Sequence, residues 1–263
     1  MSLPSRPRRQ AGLTLVELMI ALTIGLILLG GVLGVYLSSK QTYRARDGLS
    51  IVQENGRIAL TQLRHGLQWA GFPAFAGIRP VLSADVALPD ESNLAPSSDG
   101  ASDVLTIAYL PLDADYERDC LGQQGTVPVG GNEMVVSSYF VQDGQLKCRG
   151  SGNPAAQTLA EAVDAMQVLY GVDDNGDGYA DNYRSAALID AAGSGGWDRV
   201  VSIQVALVVN SVVPVKDLPR NDRFNLLGEA WQSAGADRLA RRVFTTTVPL
   251  RNRLPLCLDC NGN

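Results

Sequence analysis

A single histidine, His65, stands in 263 residues, and only four cysteines accompany it. One imidazole cannot build a multi-histidine metal centre, and no nucleophile is paired with it in the sequence, which argues against a hydrolase triad. The cysteines are Cys120, Cys148, Cys257 and Cys260, so the chain holds one CxxC and lacks the second that a four-cysteine zinc site usually shows. That CxxC sits at the extreme C-terminus, not at the start of a helix, so thioredoxin-like chemistry is not expected. Aromatic residues make up 6% of the chain and mark no obvious ligand pocket. Lys and Arg (22) are outnumbered by Asp and Glu (27), a net charge of −5 that offers no general nucleic-acid surface. The glycines of Gly193-Ser-Gly195-Gly196 lack the strand-before, helix-after setting of a phosphate loop and read as a turn. Two further absences concern the N-terminal quarter. No proline lies between Pro7 and Pro73, and no acid precedes Glu17.

What the N-terminal quarter does contain is a long apolar run. Leu13–Leu37 covers 25 residues, enough as a helix to cross a hydrocarbon core of roughly 30 Å. Arg6, Arg8 and Arg9 precede it, and basic residues ahead of an apolar helix hold that end in the cytoplasm. The segment is too long for a signal-peptide core and has no small-x-small site after it. Glu17 is its one charge. A carboxylate there costs on the order of 2.5–3.5 kcal/mol at the bilayer centre, less near the edge. Such a residue reads as functional, and its partner has to come from elsewhere.

The amphipathic pattern continues beyond the run. Leu49, Val52, Gly56, Ala59, Leu63, Gly66 and Ala70 recur at spacings of three and four, one face of a helix. The spacing predicts a single spine helix over 13–70, apolar all round in its first half and amphipathic in its second. At 1.5 Å per residue it would be roughly 85 Å long. Residues 73–102 read as a connection. Strands are expected at 104–110, 134–141, 145–148, 167–172, 201–209 and 244–250, with Asp143-Gly144 as a hairpin turn. Leu159–Ala165 reads as a short helix, and residues 213–242 show no clear period. The alternation along 201–209 and 244–250 suits an antiparallel sheet with one packed face, placed against the lower half of the spine. The class is α+β.

In the C-terminal part, Asp173, Asn175, Asp177 and Asp181, with the Tyr179 carbonyl, occupy positions 1, 3, 5, 9 and 7 of an EF-hand-type calcium loop, with glycine at position 6. Position 12 is Arg184 where a bidentate Glu would complete the set, and Asp190 is the acid expected to close it. The bland alternative is an Asp/Asn/Gly turn held by its own side chains. Asp113, Asp115, Glu117 and Asp119 are expected to form a solvated acidic loop, and Arg238, Arg241 and Arg242 a solvated basic face. With the N-terminus cytoplasmic, one crossing puts the cysteines in an oxidising compartment. Three pairings are possible; Cys120–Cys148, tying the ends of a strand-rich segment, and Cys257–Cys260 are expected.

Basic leader, Ala11-Gly12 junction, Leu13-Thr-Leu-Val-Glu17 and long apolar helix together resemble the class III leader of type IV pilins and pseudopilins. The resemblance implies cleavage after Gly12 by a prepilin peptidase, N-methylation of Leu13, and a mature chain whose charge falls from −5 to −8 with the loss of three leader arginines. Most members have Phe where this chain has Leu13. It also implies a role for Glu17, pairing with the N-terminal amine of a neighbouring subunit and so setting register. Gln167-Val-Leu-Tyr-Gly-Val-Asp173, the strand at 200–210 and the ending Phe244-Thr-Thr-Thr-Val-Pro-Leu-Arg-Asn-Arg253 are similar to the PilW group of minor pilins. From this follow a leader at 1–12, a transmembrane segment at 13–37, a periplasmic head at 71–263, and no enzymatic role. The implied partners are other minor and major pilins, the inner-membrane assembly platform and the membrane itself, with Ca²⁺ as the only cofactor. A type II secretion pseudopilin, or a membrane-anchored calcium-binding domain outside any filament, are the other readings.

Overall fold

A computed structural model describes residues 14–73, 81–82, 102–113, 118–193, 195–215, 223–233 and 237–253. The chain divides into two units, residues 1–47 and 48–263. Helix α1, Leu15–Leu67, supplies the first unit and continues into the second. The expected leader, with Gly12 and Leu13, lies outside the described residues, as do Asp115, Glu117, Cys257 and Cys260.

In the first unit every side chain from Thr14 to Arg44 is exposed. Large apolar groups such as Leu15, Met19, Ile27 and Val35 are more than half accessible. An apolar surface around the whole circumference is what a lipid-facing helix requires. The helix opens at Thr14, whose Oγ1 accepts the Glu17 N–H at 3.3 Å, while its carbonyl accepts the Leu18 N–H at 3.2 Å. Thr14-x-x-Glu17 is therefore an N-terminal capping pattern.

In the second unit α1 turns a stripe inward: Gly48, Val52, Gly56, Ala59, Leu63 and Leu67. Leu49, expected on that face, is 43% exposed; Gly48 takes its place. Small residues set the approach distance. A Cβ at Gly56 would meet the Phe244 ring at 2.5 Å, and one at Gly66 would overlap the Tyr139 hydroxyl.

The stripe packs into a core shared by two antiparallel sheets. The first contains β1 (Val81–Leu82), β2 (Leu105–Tyr109), β3 (Val127–Val129), β4 (Asn132–Gln142), β5 (Gln145–Gly150) and β6 (Asn153–Glu161), in the order β1-β2-β4-β5-β6 with β3 against β4. Asp143 and Gly144, both at positive φ, make the β4–β5 turn, as Asp-Gly favours. The second contains β7 (Val163–Val172), β8 (Asn182–Arg184) and β9 (Val200–Asn210), with α2 (Ala186–Ala191) between β8 and β9. A separate hairpin, β10 (Arg223–Leu226) and β11 (Glu229–Gln232), precedes β12 (Arg241–Pro249). The second sheet runs β12-β9-β7-β8.

Two expectations need correction. Residues 159–165 are strand, not helix: Leu146 and Lys147 of β5 pair with Ala160 and Thr158, Val163 and Ala165 pair with β9, and Ala162 at φ 61° turns the chain between the sheets. Ladder formation overrides the local preference. The head is antiparallel as expected, and among the described residues its strands form sheets of six, four and two strands. Finally, β9 is buried on both faces, not one, because Leu226, with Phe224 and Trp231 beside it, covers Ala206 and Val208. That covering hairpin comes from the stretch without a clear period.

Candidate functional site

Glu17 lies in the first turn of α1, where the helix dipole favours a negative charge. Among the described residues it has no ion-pair partner. The carboxylate and its cap stand at the start of the exposed apolar part of α1, where a cation would complete the site. Composition and length mark α1 as the candidate membrane span.

Three polar clusters stand out in the head among the described residues. The first is the loop after β7. Asp173, only 9% exposed, accepts the N–H of Gly176 on Oδ1 at 2.6 Å and that of Gly178 on Oδ2 at 2.8 Å. Asp181 Oδ2 accepts the N–H groups of Asp174 at 2.8 Å and Asn175 at 3.3 Å. Asn175 Oδ1 takes the Asp177 N–H at 2.9 Å and Asp177 Oδ1 the Tyr179 N–H at 2.8 Å. Desolvation pushes the Asp173 carboxyl up, but the amides of Gly178 and Gly176 outweigh it and hold the group below its ordinary value. Gly176 and Gly178 sit at φ 83° and 86°, a conformation that glycine adopts freely.

The expected donors thus do share one loop, and the loop closes on its own amides. Of the two residues outside the nine, Asp190 is placed otherwise than expected. Arg184 pairs with Asp174 at 2.7 Å, and Asp190 accepts the Trp197 indole N–H at 2.7 Å instead of closing the ring. Among the described residues no three His, Cys, Asp or Glu side chains converge as a metal cluster would.

The second cluster surrounds Asp119. Its sequence setting suggested a solvated carboxylate, yet it is 6% exposed. Oδ1 accepts the N–H groups of Leu121 at 2.9 Å and Gln123 at 3.0 Å. Oδ2 reaches the Gly152 N–H at 3.0 Å, tying the loop to the β5–β6 turn. Next to it, Cys120 is disulfide-bonded to Cys148 of β5, with the Cα atoms 6.5 Å apart. A cavity of about 370 Å³ lies alongside, lined by His65, Trp69, Tyr109, Arg118, Tyr139 and Leu159 among others.

The third cluster is Arg241, expected on a solvated face but only 5% exposed in its side chain. It pairs with Asp164 at 2.6 Å and Asp237 at 2.5 Å, and its guanidinium lies 5.8 Å from the Trp231 ring centre. Burial alone would lower the guanidinium; the two carboxylates outweigh burial and raise it. Neither Asp119 nor Arg241 could be recognised as buried from the sequence, because each has one partner far along the chain, Gly152 33 residues from Asp119 and Asp164 77 residues from Arg241. The Thr14-x-x-Glu17 cap was also missed, and the signal that could have found it is the spacing of the pair.

Residues 7–33 match the prokaryotic N-terminal methylation motif. Residues 135–252, from β4 to just beyond β12, match the family described as type IV pilus-assembly protein W. No curated protein matches the chain. Among solved structures, a type IV-like pilin from Thermus thermophilus aligns at 17% identity over 59% of this chain and 81% of that one, with a TM-score of 0.34. A superposition that loose leaves the fold assignment to the chain's own topology. With the methylation motif on its spine and the PilW match across residues 135–252 of its head, the chain is similar to type IV pilin-like proteins of the PilW kind.

Proposed function

We propose that this chain is a low-abundance pilus subunit that helps initiate type IV pilus assembly, in a complex with other minor pilins at the pilus tip. The observation that carries the reading is the pairing of a methylation motif, on a capped helix whose apolar first half is exposed, with the PilW match in the head. In this reading a prepilin peptidase cuts after Gly12 and Leu13 becomes the methylated N-terminus. Leu13–Leu37 spans the inner membrane, N-terminus cytoplasmic and head periplasmic, until the assembly platform extracts the subunit; the helix then enters the filament core. Glu17 meets the N-terminal amine of the adjacent subunit. A buried carboxylate and a buried ammonium are each far more costly alone than together, so the pair sets axial register. The chain is a structural part and not an enzyme, and nucleic acid is not among its partners.

The test is the amount of pilin sheared from the surface of cells lacking this chain, complemented with wild type or with Glu17→Ala. Loss of surface pili restored only by wild type is the expected result. Normal piliation without the chain overturns it and moves the assignment to a secretion pseudopilin, read by exoprotein export. A subunit that works equally well as Glu17→Ala removes the register role.

We also propose that Asp173, Asn175, Asp177, the Tyr179 carbonyl and Asp181 take up Ca²⁺. Lacking a bidentate acid at position 12, the loop belongs with the weak class of extracellular sites, with Kd of about 10⁻⁴–10⁻³ M. The oxygens now bonded to amides keep further lone pairs for a cation. Titration calorimetry on the full chain in detergent should give heat with millimolar Ca²⁺ that Asp177→Ala abolishes. No heat in the wild type ends the calcium reading and leaves the loop a self-closed turn.

A further inference from the structure

We propose that the outer edge of β12 is a docking site for an extended segment of a partner protein, which joins the second sheet as a further strand. The inference goes beyond the assembly role and rests on sheet geometry, not on the family. An unpaired strand edge offers a row of N–H and C=O groups ready to pair, and folded proteins usually guard such edges. Other edges of the two larger sheets are short or irregular among the described residues. In the first sheet, β1 has two residues, and the β5–β6 pairing is broken by two register shifts. In the second sheet, β8 has three residues. Where β8 ends, Ser102 and Asp103 satisfy β7: the Asp103 N–H reaches the Met166 carbonyl at 2.8 Å. Ser102 Oγ accepts the Met166 N–H at 2.5 Å and Asp103 Oδ2 the Val168 N–H at 2.7 Å.

β12 is different. It pairs with β9 in unbroken register from Arg241–Asn210 to Pro249–Ser202, with no bulge. It ends the order β12-β9-β7-β8, so among the described residues its other edge has no strand against it. Between Arg242 and Pro249 it reads Val-Phe-Thr-Thr-Thr-Val, with no charge, no proline and high strand propensity. Phe244 holds it in place against Gly56 of α1.

Charge selects the occupant. Residues 238–253 contain five arginines and no acid, in a chain that is acidic overall. Arg241 is neutralised by Asp164 and Asp237, but Arg242 and Arg251 are exposed at the two ends of the strand. A second copy docking antiparallel on the same edge would bring the arginines of both copies together at each end, which is destabilising. The fitting partner is a strand of uncharged β-formers with Asp or Glu at its ends. Main-chain hydrogen bonds would supply affinity and the flanking charges register.

The probe is a short synthetic peptide of alternating threonine and valine with aspartate at each end, titrated against the full chain in detergent. It should bind and slow amide hydrogen exchange within residues 243–248. The same peptide with N-methyl groups on the amides of one edge should not bind, because those donors form the ladder. Arg242→Glu combined with Arg251→Glu, both at exposed positions and checked for native circular dichroism, should weaken binding by about ten-fold. Absence of peptide binding, equal binding of the N-methylated peptide, protection confined to another segment, or dimerisation of the chain through this strand would each overturn the proposal.

Discussion

Replacing Asp119 with alanine should destabilise the head far more than a loop carboxylate normally would. The side chain is 6% exposed and accepts three backbone N–H groups, those of Leu121, Gln123 and Gly152. Each bond to a charged acceptor contributes about 1.5–3 kcal/mol, and an orphaned buried donor loses a similar amount. Two of the donors are local and half-buried, so water recovers part of their loss. The third is the link to the β5–β6 turn. A net cost of about 3 kcal/mol follows, a large share of a typical domain's 5–15 kcal/mol. For a unit of this size that corresponds to a drop in Tm of about 6–12 °C. Asp119→Asn keeps one acceptor oxygen but turns an amide N–H₂ toward a donor, so it should fall between wild type and alanine. The assay is thermal unfolding by near-UV circular dichroism of the full chain in detergent, with the Cys120–Cys148 bond verified intact. A drop below about 2 °C for Asp119→Ala would show that these three bonds are not what secures the loop.

Two more outcomes follow from the head. Removing both Cys120 and Cys148 as serines should cost about 3–4 kcal/mol by the loop-entropy relation for a separation of 28 residues, seen as a lower denaturant midpoint; an unchanged midpoint refutes it. Asp237 is held below its ordinary value, first by its hydrogen bond with Arg241. Its contribution is therefore full above the ordinary carboxylate range and lost as pH falls through the folded value. The Tm difference between wild type and Asp237→Asn should shrink on acidification from neutral pH, and a difference constant with pH would contradict this.

Local periodicity made the spine legible. The recurrence of Val52, Gly56, Ala59 and Leu63 marks a helix face, and the alternation through β9 and β12 marks strands that pair along their whole length. Leu49 was misplaced by one position, because Gly48 lets Ser211 and Val215 approach more closely than a leucine would. Loss of legibility tracks contact distance. Residues 159–165 owe their strand state to β5 and β9, and β9's second buried face exists only because a distant hairpin folds over it. Asp119 and Arg241 look like solvated charges until the groups that bury them are in place. The nine-residue loop at 173–181 was legible as a unit because its bonds are internal, whereas the roles of Arg184 and Asp190 depend on Asp174 and Trp197.

Mass spectrometry of this chain recovered from sheared surface pili tests the central claim most directly. The account predicts a mature N-terminus at methylated Leu13, and a Gly12→Val chain that stays unprocessed and absent from the sheared fraction. Recovery of an uncut chain from the pili, or unchanged processing of Gly12→Val, would contradict it.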